Sequence, residues 1–160
     1  MNKFRITIIA CIIMALIVPW TEWLAVSKDT PLYTHFTYIA GHDGYLHYAI
    51  NAWSLLVIHN LFKWYRVVAA YLVAILISFI ALPDQPMVGA SVFTCFFFGF
   101  MTPWLWHKEK ILLVLTVAML LLTCILPGFA GIPHVIAFVF GIAFVFTEEF
   151  VWQTYNFLKR

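Results

Sequence analysis

A serine hydroxyl attacks an ester or amide carbonyl only when a base takes its proton. Ser91 stands where an apolar run begins, in Val88-Gly89-Ala90-Ser91-Val92-Phe93-Thr94-Cys95. His134 opens a later apolar run, with Gly131 and Pro133 just before it. A histidine so placed can take the serine proton and return it to the leaving group. His47 and Asn51 are four apart in sequence, so on a helix they share a face one turn apart. Both side chains can donate to a developing oxyanion, helped by backbone N–H groups at the start of the Ser91 helix. The chemistry these residue types allow is acyl transfer to Ser91 followed by hydrolysis.

Each residue also has a plainer use. Ser91 could cap a helix. His134 could lie at an interface, and His47 with Asn51 could bond two helices together. His35 and His42 read as interfacial, and His59 and His107 as solvated near the opposite ends of their segments. Glu148 and Glu149 read as boundary residues.

The elements that must carry these groups are apolar. Of 160 residues, 64% are hydrophobic and 10% charged, with mean hydropathy +0.97. A soluble domain cannot bury that much apolar surface, so the composition predicts an integral membrane protein of one domain, residues 1–160. The net charge of +2 gives no reason to expect a nucleic-acid partner. Cys11, Cys95 and Cys124 lie in apolar runs. They read as small core residues, with no disulfide framework.

Six apolar segments are expected to be helices: 6–26, 47–62, 67–82, 91–106, 111–126 and 134–151. Lys3 and Arg5 before the first resemble a secretion signal. But the run ends in Pro19-Trp20-Thr21-Glu22-Trp23 with no small-x-small site, so it reads as a retained anchor helix. Several segments are shorter than the ~20 residues a spanning helix needs. The fourth, preceded by Pro86 and Gly89, is expected to start inside the protein beside a water-filled cavity. Eight of the nine basic residues fall at the two ends and in alternate connections, leaving Lys28 opposite. The positive-inside rule then puts both termini in the cytoplasm. Trp20, Trp23, Trp64, Trp104, Trp106 and Trp152 fall near segment ends, as interfacial anchors do. The longest connection, 27–46, is aromatic and weakly charged, and is expected to pack on the bundle.

With these motifs in order, the chain resembles the rhomboid intramembrane serine proteases. The likeness rests on His47-x-x-x-Asn51 in the second helix, Gly89-x-Ser91 at the start of the fourth, and His134 in the sixth. His42, and the small residues Ala137 and Gly141 after His134, add to it. It spans nearly the whole chain. It implies an all-α, six-transmembrane-helix bundle cleaving transmembrane segments of membrane proteins. Ser91 would be the nucleophile, His134 the base, and His47 and Asn51 the oxyanion hole. Gly89 would allow a close turn beneath the serine, and Gly141 a close helix approach. No cofactor and no metal are implied. A bacterial inner membrane is the expected location. The sequence departs from the family pattern at Val92, usually glycine, and at Cys95, often aromatic. Residues 60–66 also lack the acidic partner usual near Arg66.

Three other functions remain open on sequence. The same fold without protease activity could bind transmembrane helices of clients. A metal held by His42, Asp43, His47 and His134 is disfavoured by the lack of a His-Glu-x-x-His motif and of paired cysteines. A transporter is disfavoured by the absence of a repeat and by few intramembrane charges.

Overall fold

The computed structural model describes residues 2–81, 86–125 and 131–159. Its helices are α1 (Lys3–Ile17), α2 (Thr34–Thr37), α3 (Gly44–Ile58), α4 (Trp64–Ile80), α5 (Ser91–Lys108), α6 (Lys110–Ile125) and α7 (Gly131–Leu158). Among the described residues the sole β feature is an isolated antiparallel bridge between Val26 and Met87. The fold is all-α. Among the described residues one helix, α7, is long and apolar enough to cross a membrane, and α4 and α6 are shorter apolar helices.

Four of the six apolar segments form helices of about the expected extent, and the sixth, expected over 134–151, runs longer, from Gly131 to Leu158. The first is shorter. α1 stops at Ile17 and tightens into a 3₁₀ turn over Val18–Trp23. Pro19 there offers no N–H to a continuing helix. Leu82 and Leu126, the expected ends of the third and fifth segments, lie outside the described residues.

α5 and α7 form the centre. A side chain at Gly141 would run into the Phe96 carbonyl, and one at Gly99 into the Phe138 carbonyl. The two glycines thus cross reciprocally, each admitting the other helix's main chain. α4 and α6 flank this pair, and α1 packs on α3. Phe96, Phe97, Ala70, Leu55 and Ile58 fill the larger apolar cluster. α6 buries little beyond Leu113 and Leu120. Cys124, expected in the core, is exposed instead. The last turn of α6 meets α7 through its backbone, with the Cys124 main chain against Gly131, and this leaves the thiol outside.

The connection after α1 folds back on α4, as its composition predicts. The Tyr38 hydroxyl donates to the Ala74 carbonyl at 2.9 Å. The Tyr71 hydroxyl on α4 donates to the Phe36 carbonyl at 2.8 Å. The His35 ring bonds Ser78 at 2.9 Å and stacks on Phe79. His35 and His42 are therefore buried. His59 is half-buried, bonded to the Leu56 carbonyl and edge-on to Phe4.

At the opposite end Arg66 donates to Glu148 through Nε at 2.9 Å and Nη2 at 2.6 Å, and the Tyr65 hydroxyl joins at 2.7 Å. The Arg66 guanidinium lies over the Phe100 ring. The acid missing from residues 60–66 is thus supplied by α7. Glu148, expected to be a boundary residue, is the anchor that ties α7 to α4.

Candidate active site

Met87 begins the site. Its N–H and C=O pair with Val26 at 2.9 and 3.0 Å, which holds the residues before α5 extended. The chain then turns at Gly89, whose φ is positive. That left-handed conformation disfavours any residue with a Cβ. The Gly89 N–H donates to the Tyr38 carbonyl at 2.9 Å. Ser91 follows as the first residue of α5.

The structure brings Ser91 and His134 together. Ser91 Oγ and His134 Nε2 are 2.7 Å apart, although 43 residues separate them. The distance suits a hydroxyl donating to an imidazole lone pair. His134 lies near the start of α7, beside buried Gly131 and Pro133. Its depth matches that of Ser91 because both residues open helices of the central pair. No carboxylate side chain bonds His134 among the described residues.

His47 and Asn51 meet the same turn from α3. A Cβ placed on Gly89 would lie 2.7 Å from His47 Cε1, 2.9 Å from His47 Nε2 and 3.5 Å from Asn51 Nδ2. Glycine there lets the imidazole close on the turn. The Asp43 N–H donates to His47 Nδ1 at 3.3 Å. A neutral His47 ring accepting at Nδ1 carries its proton on Nε2, the nitrogen beside Gly89. One Asn51 amide N–H goes to the His47 carbonyl at 3.1 Å. The second N–H of that amide has no bond among the described residues. Neither side chain bonds Ser91 directly.

His42 adds a buried histidine behind His47. Its ring is edge-on to His47 and to Tyr48. Nδ1 donates to the Ala40 carbonyl at 3.2 Å, and buried Nε2 has no hydrogen-bond partner among the described residues. Burial, with His47 nearby, pushes the His42 pKa down to about 4, because both disfavour the charged ring. The ring is therefore neutral at pH 7.

Val92, next to the nucleophile, is buried in the cluster that holds Tyr38, Ile77 and Ala137. Cys95, one turn below Ser91, packs half-buried between that cluster and the one around Leu105 and Phe138. The metal set weighed on sequence does not assemble: among the described residues no three His, Cys, Asp or Glu side chains meet as a metal site. Sequence reasoning missed Tyr38 and Gly99. Nothing in the sequence distinguishes Tyr38 from Tyr33 or Tyr45, whereas Gly99 within an apolar helix is a detectable close-packing signal.

The arrangement can bind a carbonyl between Ser91 and the His47 side of the turn. It can move one proton between Ser91 Oγ and His134 Nε2. Compared with protein-family models, with curated proteins and with solved structures, the chain matches none.

Proposed function

We propose that this chain is an intramembrane serine protease of the rhomboid type, a serine endopeptidase acting through Ser91 and His134. The observation that carries this reading is the 2.7 Å contact between Ser91 Oγ and His134 Nε2. Its force comes from its setting, beside a glycine turn with a protonated His47 nitrogen against it. A packing serine has no need of such a setting.

In the proposed cycle His134 takes the Ser91 proton as Oγ attacks the scissile carbonyl. His47 Nε2–H and the free Asn51 N–H stabilise the oxyanion. His134 then protonates the departing amine. A water, deprotonated by the same nitrogen, breaks the acyl-enzyme and restores Ser91.

In this reading the site lies in a bilayer, crossed by α1, α3, α4, α5, α6 and α7. Exposed apolar residues on every flank support this. They include Leu16, Trp53, Leu72, Ile111, Val114 and Phe146. Water would leave such residues unsheltered, whereas lipid would cover them. The substrates are single-pass membrane proteins, cut near the outer face where their helix unwinds. α6 is held by little more than Leu113 and Leu120. It and the outer connection that packs on α4 are the candidate gates.

The test is labelling by a fluorophosphonate of purified protein in detergent, alongside Ser91→Ala and His134→Ala. Labelling that requires both residues is the expected result. A folded wild-type protein that fails to label would overturn the protease reading. It would favour a client-binding protein of the same architecture, a reading that Val92 beside the serine favours.

A further inference from the structure

We propose that Tyr38 is a positioning residue, one that sets the height of the Gly89–Ser91 turn from outside the bundle. The inference rests on the serine hydrolase reading of Ser91. Tyr38 is fully buried although it lies in the long connection between α1 and α3. Three parts of it act at once. Its carbonyl accepts the Gly89 N–H at 2.9 Å. Its hydroxyl donates to the Ala74 carbonyl on α4 at 2.9 Å. Its ring shares an apolar cluster with Val92 and Ala137.

Those neighbours make the placement consequential. Val92 follows Ser91, and Ala137 stands three positions after His134, just under one helical turn. The ring therefore lies in the cluster that holds a near neighbour of each dyad residue. The carbonyl fixes the residue two before the nucleophile. Gly89 must also clear the His47 ring, which leaves no room for a side chain at that point. A shift of the turn would move Ser91 relative to His134 and to the His47 donor together. Misplacement of about 1 Å can cost on the order of 10²-fold in rate. The hydroxyl anchors the ring to α4, which Arg66 and Glu148 in turn tie to α7. Burial raises the Tyr38 pKa, so the hydroxyl stays a donor through the working pH range. The Val26–Met87 bridge holds the same extended segment one step earlier but touches neither Ser91 nor His134.

The test compares Tyr38→Phe and Tyr38→Ala with wild type by two readouts. The first is amide hydrogen exchange of peptides covering residues 87–93, with a peptide around Glu148 as internal control. The second is the rate of fluorophosphonate labelling, with kcat and KM on a transmembrane-segment substrate. Tyr38→Phe keeps the ring and loses one hydroxyl bond, worth about 2- to 10-fold. It is expected to speed exchange at 87–93 by that factor and to lower kcat similarly with KM unchanged. Tyr38→Ala is expected to lower kcat about 10²-fold. In both variants the Glu148 peptide exchanges as in wild type. Unchanged exchange and unchanged kcat in Tyr38→Phe would overturn the assignment, as would a loss expressed in KM alone. Should Tyr38→Ala not fold, Tyr38→Phe decides. A wild-type protein that does not label refutes the hydrolase reading, while the exchange readout still judges Tyr38 as the support of the turn.

Discussion

Asn51 illustrates how one side chain can serve structure and chemistry together. One amide N–H closes a bond to the His47 carbonyl, and the other is free to meet an oxyanion. Asn51→Ala removes a single donor of several, so the labelling rate should fall about 10²-fold, whereas Ser91→Ala, which lacks the oxygen that attacks the probe, should not label at all. Equal losses would show that Asn51 supports the fold of the site. His42 carries a different prediction. Its folded pKa is about 4, below the ordinary histidine value of about 6.5. Between those values the unfolded chain binds a proton that the folded chain excludes. Stability is therefore full above about pH 6.5 and falls as pH drops toward about 4. Thermal unfolding in detergent should show a lower midpoint at pH 5 than at pH 7.5. In His42→Gln the gap between the two midpoints should narrow, and an unchanged gap would assign the acid sensitivity elsewhere. The sequence exposed His47, Asn51, Ser91 and His134 because each is a polar group in an apolar context. It hid the burial of His42, because a histidine before a helix reads the same whether it faces water or protein.

Elements decide whether the dyad forms, since its partners come from helices far apart in sequence. Ser91 meets His134 only if α5 and α7 approach to backbone contact, and Gly99 and Gly141 allow that approach. Gly141→Val would drive a branched side chain into the Phe96 carbonyl. That overpacking costs about 3 kcal/mol and should abolish labelling. The Glu148 anchor should behave oppositely. Glu148→Gln weakens the paired bonds to Arg66. The loss should cost about 2 kcal/mol in denaturant unfolding, as for a hydrogen bond to a charged group. Glu148 and His134 share α7, but they stand roughly four helical turns apart. Labelling by folded Glu148→Gln should therefore match wild type, and a large loss would mean that the ion pair sets the dyad. Helix positions were legible from apolar runs, and the Gly141 approach from small-residue spacing. The pairing of Arg66 with Glu148 was not, because 82 residues separate them and only the fold supplies the missing acid.

The whole molecule poses a question of orientation. Among the described residues, only α7 is long and apolar enough by itself to cross a bilayer. α4 and α6 offer 17 and 16 residues. At ~1.5 Å per residue they reach about 26 and about 24 Å, short of a hydrocarbon core of about 30 Å. Mismatch of that size is met by local thinning of the bilayer and by flanking groups that snorkel, at fractions of a kcal/mol per Å. The basic residues supply such groups. Lys63 and Arg66 flank the start of α4, and Lys108 and Lys110 flank the joint between α5 and α6. If all six long helices cross, these two connections and both termini share a face, with Lys28 opposite. Reporter fusions in a bacterial host read this directly. Fusions ending at Lys63, Glu109 and Lys159 should report cytoplasm, and those ending at Lys28 and Pro86 the outer side. A break in that alternation would remove the six-span arrangement. It would also change which face Ser91 serves, because α5 begins on the side where α4 ends.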